Sequence, residues 1–207
     1  MSYFITLEGP EGGGKTHQAA RLVDYLKKRG FNALLTREPG GTPISDQIRQ
    51  VLGNLGNTAM DPRTEFLLFS AARAQHVQQV IQPHLDGGGV VVCDRYFDSS
   101  LAYQGFGHRL DLATLREVTR FATSGLIPNL TLLLDLPVEQ GLERRQRGGN
   151  WNRLDAYALE FHERVRQGYA RLAADEPERW VMVDAAREIN TVWNDVITAV
   201  EARLPQD

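Results

Sequence analysis

Cysteine is nearly absent: Cys93 is the only one in 207 residues. A lone thiol excludes an internal disulfide framework and any zinc site built from several cysteines. An excess of either charge is missing too, since 23 Lys and Arg face 26 Asp and Glu for a net charge of −3. Proteins that grip duplex nucleic acid are strongly basic, so no nucleic-acid partner is expected. No apolar run approaches the roughly 20 residues that cross a bilayer, so no membrane association is expected. Residues 1–8 lack the basic start and long apolar core of a secretory signal, which makes the cytoplasm the expected location. Repeats, low-complexity tracts and Pro/Ser-rich linkers are absent as well. With 42% hydrophobic and 24% charged residues, 1–207 reads as one globular domain.

Short apolar runs alternate with helical patterns along the whole chain. The runs at 3–7, 33–36, 90–93, 130–136 and 180–183 are almost continuously apolar, as strands buried on both faces are. Their alternation with helices predicts a three-layer α/β domain on a parallel sheet. Asp61-Pro62 supplies an N-cap and a first-turn proline, with Phe66, Phe69, Ala74, Val77 and Ile81 following at helical spacing. Phe161, Val165, Tyr169 and Leu172 form a second stripe, and Trp193, Val196, Ile197, Val200 and Leu204 a third. All read as core faces. Cys93, ending an apolar run, reads as a small buried hydrophobe.

The most specific motif is Gly9-Pro10-Glu11-Gly12-Gly13-Gly14-Lys15-Thr16, which fits G-x-x-x-x-G-K-[ST] between a strand and a helix. Gly9, Gly12, Gly13 and Gly14 let backbone N–H groups turn inward around phosphates at a helix N-terminus. Lys15 reaches the β/γ-phosphates, and the Thr16 hydroxyl is placed to ligate Mg²⁺. This predicts binding of ATP or GTP. It leaves kinases, GTPases, ATPases and nucleotide-binding regulators open.

Three further clusters follow predicted strands, at the edge where open α/β sheets hold ligands. In Thr36-Arg37-Glu38-Pro39-Gly40-Gly41 a forced turn leaves Arg37 at that edge. In Asp94-Arg95-Tyr96 the acid suits Mg²⁺ and the guanidinium suits a phosphate. A surface ion pair is the alternative for either arginine alone, but two at one edge point to an anionic ligand. In the third, Ser100, Tyr103 and Gln104 share a face if residues 99–105 are helical. That face suits an uncharged polar ring, and Phe69 and Arg73, four apart, could add stacking and donors.

Taken in order, Gly-Pro-Glu-Gly-Gly-Gly-Lys-Thr, Thr-Arg-Glu-Pro-Gly-Gly-Thr, Phe-Ser-Ala-Ala-Arg, Asp-Arg-Tyr and Ser-Leu-Ala-Tyr-Gln-Gly resemble the bacterial thymidylate kinases over nearly the whole chain. The resemblance implies a P-loop kinase fold with a five-stranded parallel sheet and a short lid at about 144–155. It implies transfer of phosphate from ATP, with Mg²⁺, to dTMP, giving dTDP for dTTP synthesis. Another P-loop nucleoside or nucleotide kinase, or a non-catalytic nucleotide-binding regulator, is the alternative. No Asn-Lys-x-Asp run of the kind that reads guanine occurs.

Carried over by position, Phe69 stacks on thymine, Arg73 bonds its carbonyl edge, and Ser100 and Gln104 complete the base pocket. Tyr103 lies against the deoxyribose, Arg37 and Arg95 clamp the acceptor phosphate, and Glu11 approaches the 3′-hydroxyl. Thr16 and Asp94 hold the metal. Lys15, Arg95, Arg153 and Glu11 carry catalysis. One variant of the family bears an arginine directly after the loop acid. Gly12 stands there in this chain, so the chain resembles the other variant, whose lid arginines close over ATP. Arg153 is the matching lid arginine and Arg144 stacks on adenine, while Asn152 replaces the usual lid aspartate and His17 a common Ser/Thr. The resemblance also implies a homodimer, with the helix at 61–81 as interface.

Overall fold

The computed structural model describes residues 2–149 and 151–205. Five strands form where apolar runs were predicted: β1 Tyr3–Glu8, β2 Ala33–Arg37, β3 Val90–Asp94, β4 Leu130–Asp135 and β5 Trp180–Asp184. All pair in parallel in the order β2-β3-β1-β4-β5. Each strand continues until it meets a charged residue: Glu8, Arg37, Asp94, Asp135 or Asp184. The carboxyl edge of the sheet is therefore lined with charge, and the chain reverses its winding on either side of β1. That is where open α/β sheets place ligands.

Helices cover both faces. On one side α1 (Lys15–Lys28) and α9 (Ile189–Glu201) pack Leu22, Leu26 and Val196 against Ile5, Leu7 and Leu132. On the other, α3 (Pro62–His76), α6 (Leu112–Thr123) and α8 (Leu159–Asp175) bring Phe66, Leu115, Phe161 and Tyr169 against Phe4, Val91 and Leu133. Both predicted stripes of the C-terminal half are core, and Cys93 is fully buried among them. Burying each such aliphatic side chain contributes about 1.5–3 kcal/mol. No described helix is long and apolar enough to cross a membrane.

Caps fix the elements that flank the site. Thr42 caps α2 (Pro43–Gly53), its Oγ1 accepting from Ser45 N at 3.1 Å. Asp61 caps α3, its Oδ1 accepting from Arg63 N at 2.9 Å. Beyond His76 the helix widens into a π turn, Val77–Ile81, before α4 (Gln82–Asp86). A second π turn, Leu101–Gly107, extends α5 (Phe97–Ser100), with His108 N donating to Tyr103 O at 2.9 Å. The predicted helix at 99–105 is thus wider than an α-helix where it carries Tyr103 and Gln104, and such turns recur at functional sites.

Candidate active site

The phosphate loop joins β1 to α1 at the charged edge. Gly12 (φ 72°) turns the loop through a conformation disfavoured for any side chain. A Cβ there would stand 2.1 Å from the carbonyl oxygen of Gly141 in α7 (Val138–Arg147). Lys15 folds back over the loop, its Nζ donating to Gly9 O at 3.1 Å and Pro10 O at 2.6 Å. Burial, followed by repulsion from Arg95, brings its ammonium down to about 8, against the opposing pull of Glu11 and Asp94. The Thr16 hydroxyl donates to the Asp94 carboxylate, so the loop and the end of β3 meet at two hard oxygen donors.

Two cavities open beside this loop. The smaller, about 330 Å³, lies over Gly12–Gly14 and is closed by Arg144, Arg187 and Ile189. Arg144 is pinned there by bonds to the carbonyls of Ala185 (2.8 Å) and Ala186 (3.2 Å). The larger, about 380 Å³, includes Glu11, Phe69, Arg95, Ser100, Tyr103 and Gln104 in its wall. Six residues from four separate motifs are thereby brought together, while Arg37 and Arg73 do not line the cavity.

Arg95 is the hub of the larger cavity. It adopts φ 68°, unusual outside glycine, as residues held in place for function often do. Nη1 donates to Gly9 O (2.9 Å), Tyr169 Oη (3.0 Å) and Ser99 Oγ (3.2 Å). Nη2 donates to Glu11 Oε1 at 2.8 Å and Tyr103 Oη at 3.3 Å. Burial alone would push the Glu11 carboxyl up, but Arg95, Lys15 and the Tyr103 hydroxyl outweigh it and hold it at about 2.

Beneath Arg95, Glu8 accepts from Ser99 Oγ (2.6 Å), Tyr96 N (2.7 Å) and Tyr169 Oη (3.0 Å). Burial, then repulsion from Asp98, raises its carboxyl to about 7. A raised carboxyl favours the protonated folded state. That contribution is complete below about pH 4.5 and is lost as pH rises through about 7. Glu8→Gln is therefore expected to flatten the decline in stability across this window, checked by urea unfolding at successive pH values.

The Phe69–Ser100 end of the larger cavity is backed by Arg73, only 1% exposed. Its Nε donates to Glu38 Oε2 at 2.7 Å and its Nη2 to Ser100 Oγ at 3.1 Å, while Nη1 has no partner. Glu38 also meets His76 Nδ1 at 3.1 Å. Gln104 gives its Nε2 to Glu65 Oε1 at 2.6 Å, and its buried Oε1 likewise has no partner. One donor and one acceptor are left over in the buried part of the site. Buried polar atoms of that kind call for a ligand or water.

The thymidylate kinase family model matches residues 7–196. The chain belongs to the thymidylate kinase family. It is 48% identical over 229 residues to the thymidylate kinase of Herpetosiphon aurantiacus, covering 99% of this chain and 97% of the relative. It is 50% identical over 216 residues to that of Roseiflexus sp. strain RS-1, covering 99% and 96%. The crystal structure of thymidylate kinase from Ehrlichia chaffeensis superposes with a TM-score of 0.80 at 32% identity, covering 97% of this chain and 98% of the other. The fold is accordingly the P-loop kinase fold.

Within this thymidylate kinase fold, two arginines lie elsewhere than the sequence reading placed them. Arg153 was expected at the donor phosphates, but it is buried between α2 and α3. Its Nε donates to Leu52 O at 2.9 Å, its Nη1 to Tyr157 Oη at 2.6 Å and its Nη2 to Glu65 Oε2 at 2.6 Å. The reason is electrostatic: a carboxylate as buried as Glu65 requires a cation, and Arg153 provides it. Arg145 lines the larger cavity instead, with Nε held by both oxygens of Asp155 at 3.1–3.2 Å. Asn152 forms no ion pair. Its Oδ1 caps a turn by accepting from Leu154 N at 2.8 Å, and Asp155 is the acid of the segment.

Arg37 pairs at the half-exposed surface with Asp46 at 3.2 Å, and Arg49 takes the place on the cavity wall. Arg49 donates to Pro39 O at 2.7 Å, and burial followed by repulsion from Arg37 lowers its pKa. Glu8, Glu38, Arg49 and Glu65 were given no role by sequence reasoning, and Arg145 was read only as one of the arginines around Gly148-Gly149. Only Glu38, inside the Thr-Arg-Glu-Pro run, carried a local signal.

Proposed function

We propose that the chain catalyses transfer of the γ-phosphoryl group of ATP to the phosphate of dTMP, yielding ADP and dTDP as a step of nucleotide biosynthesis. The observation that carries this reading is the pair of cavities flanking one phosphate loop, with Gly12–Gly14 on the donor side and Glu11 and Arg95 on the acceptor side. The acceptor phosphate, with a second pKa near 6, is largely a dianion at neutral pH, so no strong general base is needed. The difficulty is to bring two anions together in line. Lys15 on the donor phosphates, with Arg95 and Arg49 on the acceptor phosphate, neutralise that repulsion. Thr16 and Asp94 offer hard oxygens suited to Mg²⁺, which binds few protein ligands and takes the rest from phosphates and water. When bound, the ion supplies further charge neutralisation on the phosphates. Arg37 stands behind Arg49 as a second positive charge, and Arg144 walls the donor base site.

On the acceptor base, Phe69 supplies a stacking face. Arg73 Nη1 and the Ser100 hydroxyl are donors for a ring carbonyl, and Gln104 Oε1 is an acceptor for a ring N–H. Tyr103, bonded to Glu11 at 2.7 Å, fills the space beside the sugar. Segment 144–155 acts as the lid of a single domain spanning 1–207, closing over the nucleotides and excluding water.

A second copy of the chain is the proposed partner. α3 and α6 pack together and expose Leu67 (55%) and Phe121 (86%), an apolar face suited to a homodimer, which sedimentation velocity would detect. The cytoplasm is the proposed location, and no nucleic-acid or membrane partner is proposed. A coupled ADP-release assay with Mg·ATP and dTMP, dUMP, AMP, CMP, thymidine or no acceptor tests the reaction. Turnover with dTMP far above that with AMP, CMP or thymidine is expected. ADP release independent of acceptor would make the protein an ATPase and void the acceptor site.

A further inference from the structure

Glu65 lies in the first turn of α3, fully buried, and touches none of the groups assigned to phosphoryl transfer. Its two oxygens are divided between two regions of the chain. Oε1 accepts from Gln104 Nε2 at 2.6 Å, with His108 Nε2 at 3.3 Å. Oε2 accepts from Arg153 Nη2 at 2.6 Å and Tyr157 Oη at 2.7 Å. Burial pushes this carboxyl up, but contacts from His108, Tyr157, Arg153 and Gln104 outweigh that and hold it at about 2. At any physiological pH it is ionised, and an ionised carboxylate only accepts.

We propose that Glu65 is a specificity-positioning residue: its carboxylate fixes the Gln104 side-chain amide so that it offers the bound base an acceptor and never a donor. This rests on the base-pocket reading given above.

A glutamine amide is nearly symmetric in shape, and a free one presents either its oxygen or its NH₂ group. At Gln104 the choice is removed. Turning the amide over would set its oxygen against Glu65 Oε1 in a buried site, two acceptors facing each other with no proton between them. The atom left for a ligand is Oε1, buried and without a partner. A thymine ring carries an N–H between two carbonyls and completes that acceptor. A cytosine ring carries a bare nitrogen at the same position and would oppose it. Arg153 and Tyr157 hold the second oxygen of Glu65, so the carboxylate cannot swing away to let the amide turn. Arg153, one of four arginines in segment 144–155, thus contributes to base selection from behind the pocket wall.

The test compares kcat/KM for dTMP and for dCMP in the wild type, Glu65→Gln and Tyr157→Phe. In Glu65→Gln the new amide donates as well as accepts, so Gln104 can take both orientations. The dTMP-to-dCMP ratio is expected to fall about tenfold or more, through the acceptor KM, with the KM for ATP within about twofold. Tyr157→Phe removes one bond to the other oxygen and one from Arg153, but leaves Arg153 Nη2 on that oxygen and Gln104 on Oε1, so its ratio should stay within about threefold of wild type. An unchanged ratio in Glu65→Gln, or an equal fall in Tyr157→Phe, would overturn the assignment while leaving the proposed function intact. A wild type without turnover on dTMP would overturn both. Should Glu65→Gln show no cooperative unfolding, Glu65→Asp replaces it under the same criterion, since it draws the carboxylate away from Gln104 by one methylene.

Discussion

Lys15→Met is expected to lower kcat for dTMP phosphorylation by about 10³-fold or more while the protein remains folded. The methionine keeps most of the buried aliphatic stem, so packing is retained, but the cation over Gly9 O and Pro10 O is gone. Those carbonyls mark where the ammonium waits without nucleotide. Phosphates arriving at the loop offer it stronger partners. The ammonium is held down at about 8, so the free protein loses this cation as pH rises through about 8. kcat/KM for ATP should therefore decline above about pH 8 in the wild type, and the residual rate of Lys15→Met should lack that step. Steady-state rates, with thermal melts to confirm folding, check both points.

Arg95→Met should lower kcat/KM for dTMP by about 10³-fold and leave the KM for ATP nearly unchanged, because Arg95 faces the acceptor cavity. A second consequence separates this substitution from the first. Arg95 is the strongest cation acting on Glu11, which sits at about 2 in the folded protein. A depressed carboxyl contributes stability above about pH 4.5 that is lost as pH falls towards about 2. Without Arg95 that contribution shrinks, so the variant should melt at a lower temperature near neutrality. The gap to wild type should then narrow in acid. Melting curves between about pH 3 and 7 decide it.

The parts of this molecule that were legible in the sequence are those encoded by neighbouring residues. Each strand is an apolar run stopped by a charge, and the phosphate loop is eight consecutive residues. The acceptor cavity was half legible. Phe69, Ser100, Tyr103 and Gln104 came from motifs, whereas Arg49 and Arg145 look on their helices like ordinary surface charges. What distinguishes them is the sheet edge they lean over, and that is set by chain folding. Glu8 and Glu65 were invisible for a related reason: nothing local says that a strand-end or first-turn glutamate will be buried. Arg153 was misplaced because a motif gives the residue but not its partner, and the partner lies 88 positions away. The π turn at Leu101–Gly107 depends on bonds between residues five apart, which apolar periodicity does not reveal.

The contact between Gly12 and Gly141 limits how such a protein can evolve. A Cβ on Gly12 would fall 2.1 Å from Gly141 O, and one on Gly141 would fall 2.3 Å from Glu11 O. The loop and α7 thus meet backbone to backbone, and neither position tolerates a side chain while the other element stays put. An arginine at position 12 is not reachable by one substitution in this background, because α7 would first have to withdraw as a unit. The two placements of positive charge that the resemblance implies, inside the loop or beyond it, would therefore differ in the position of α7.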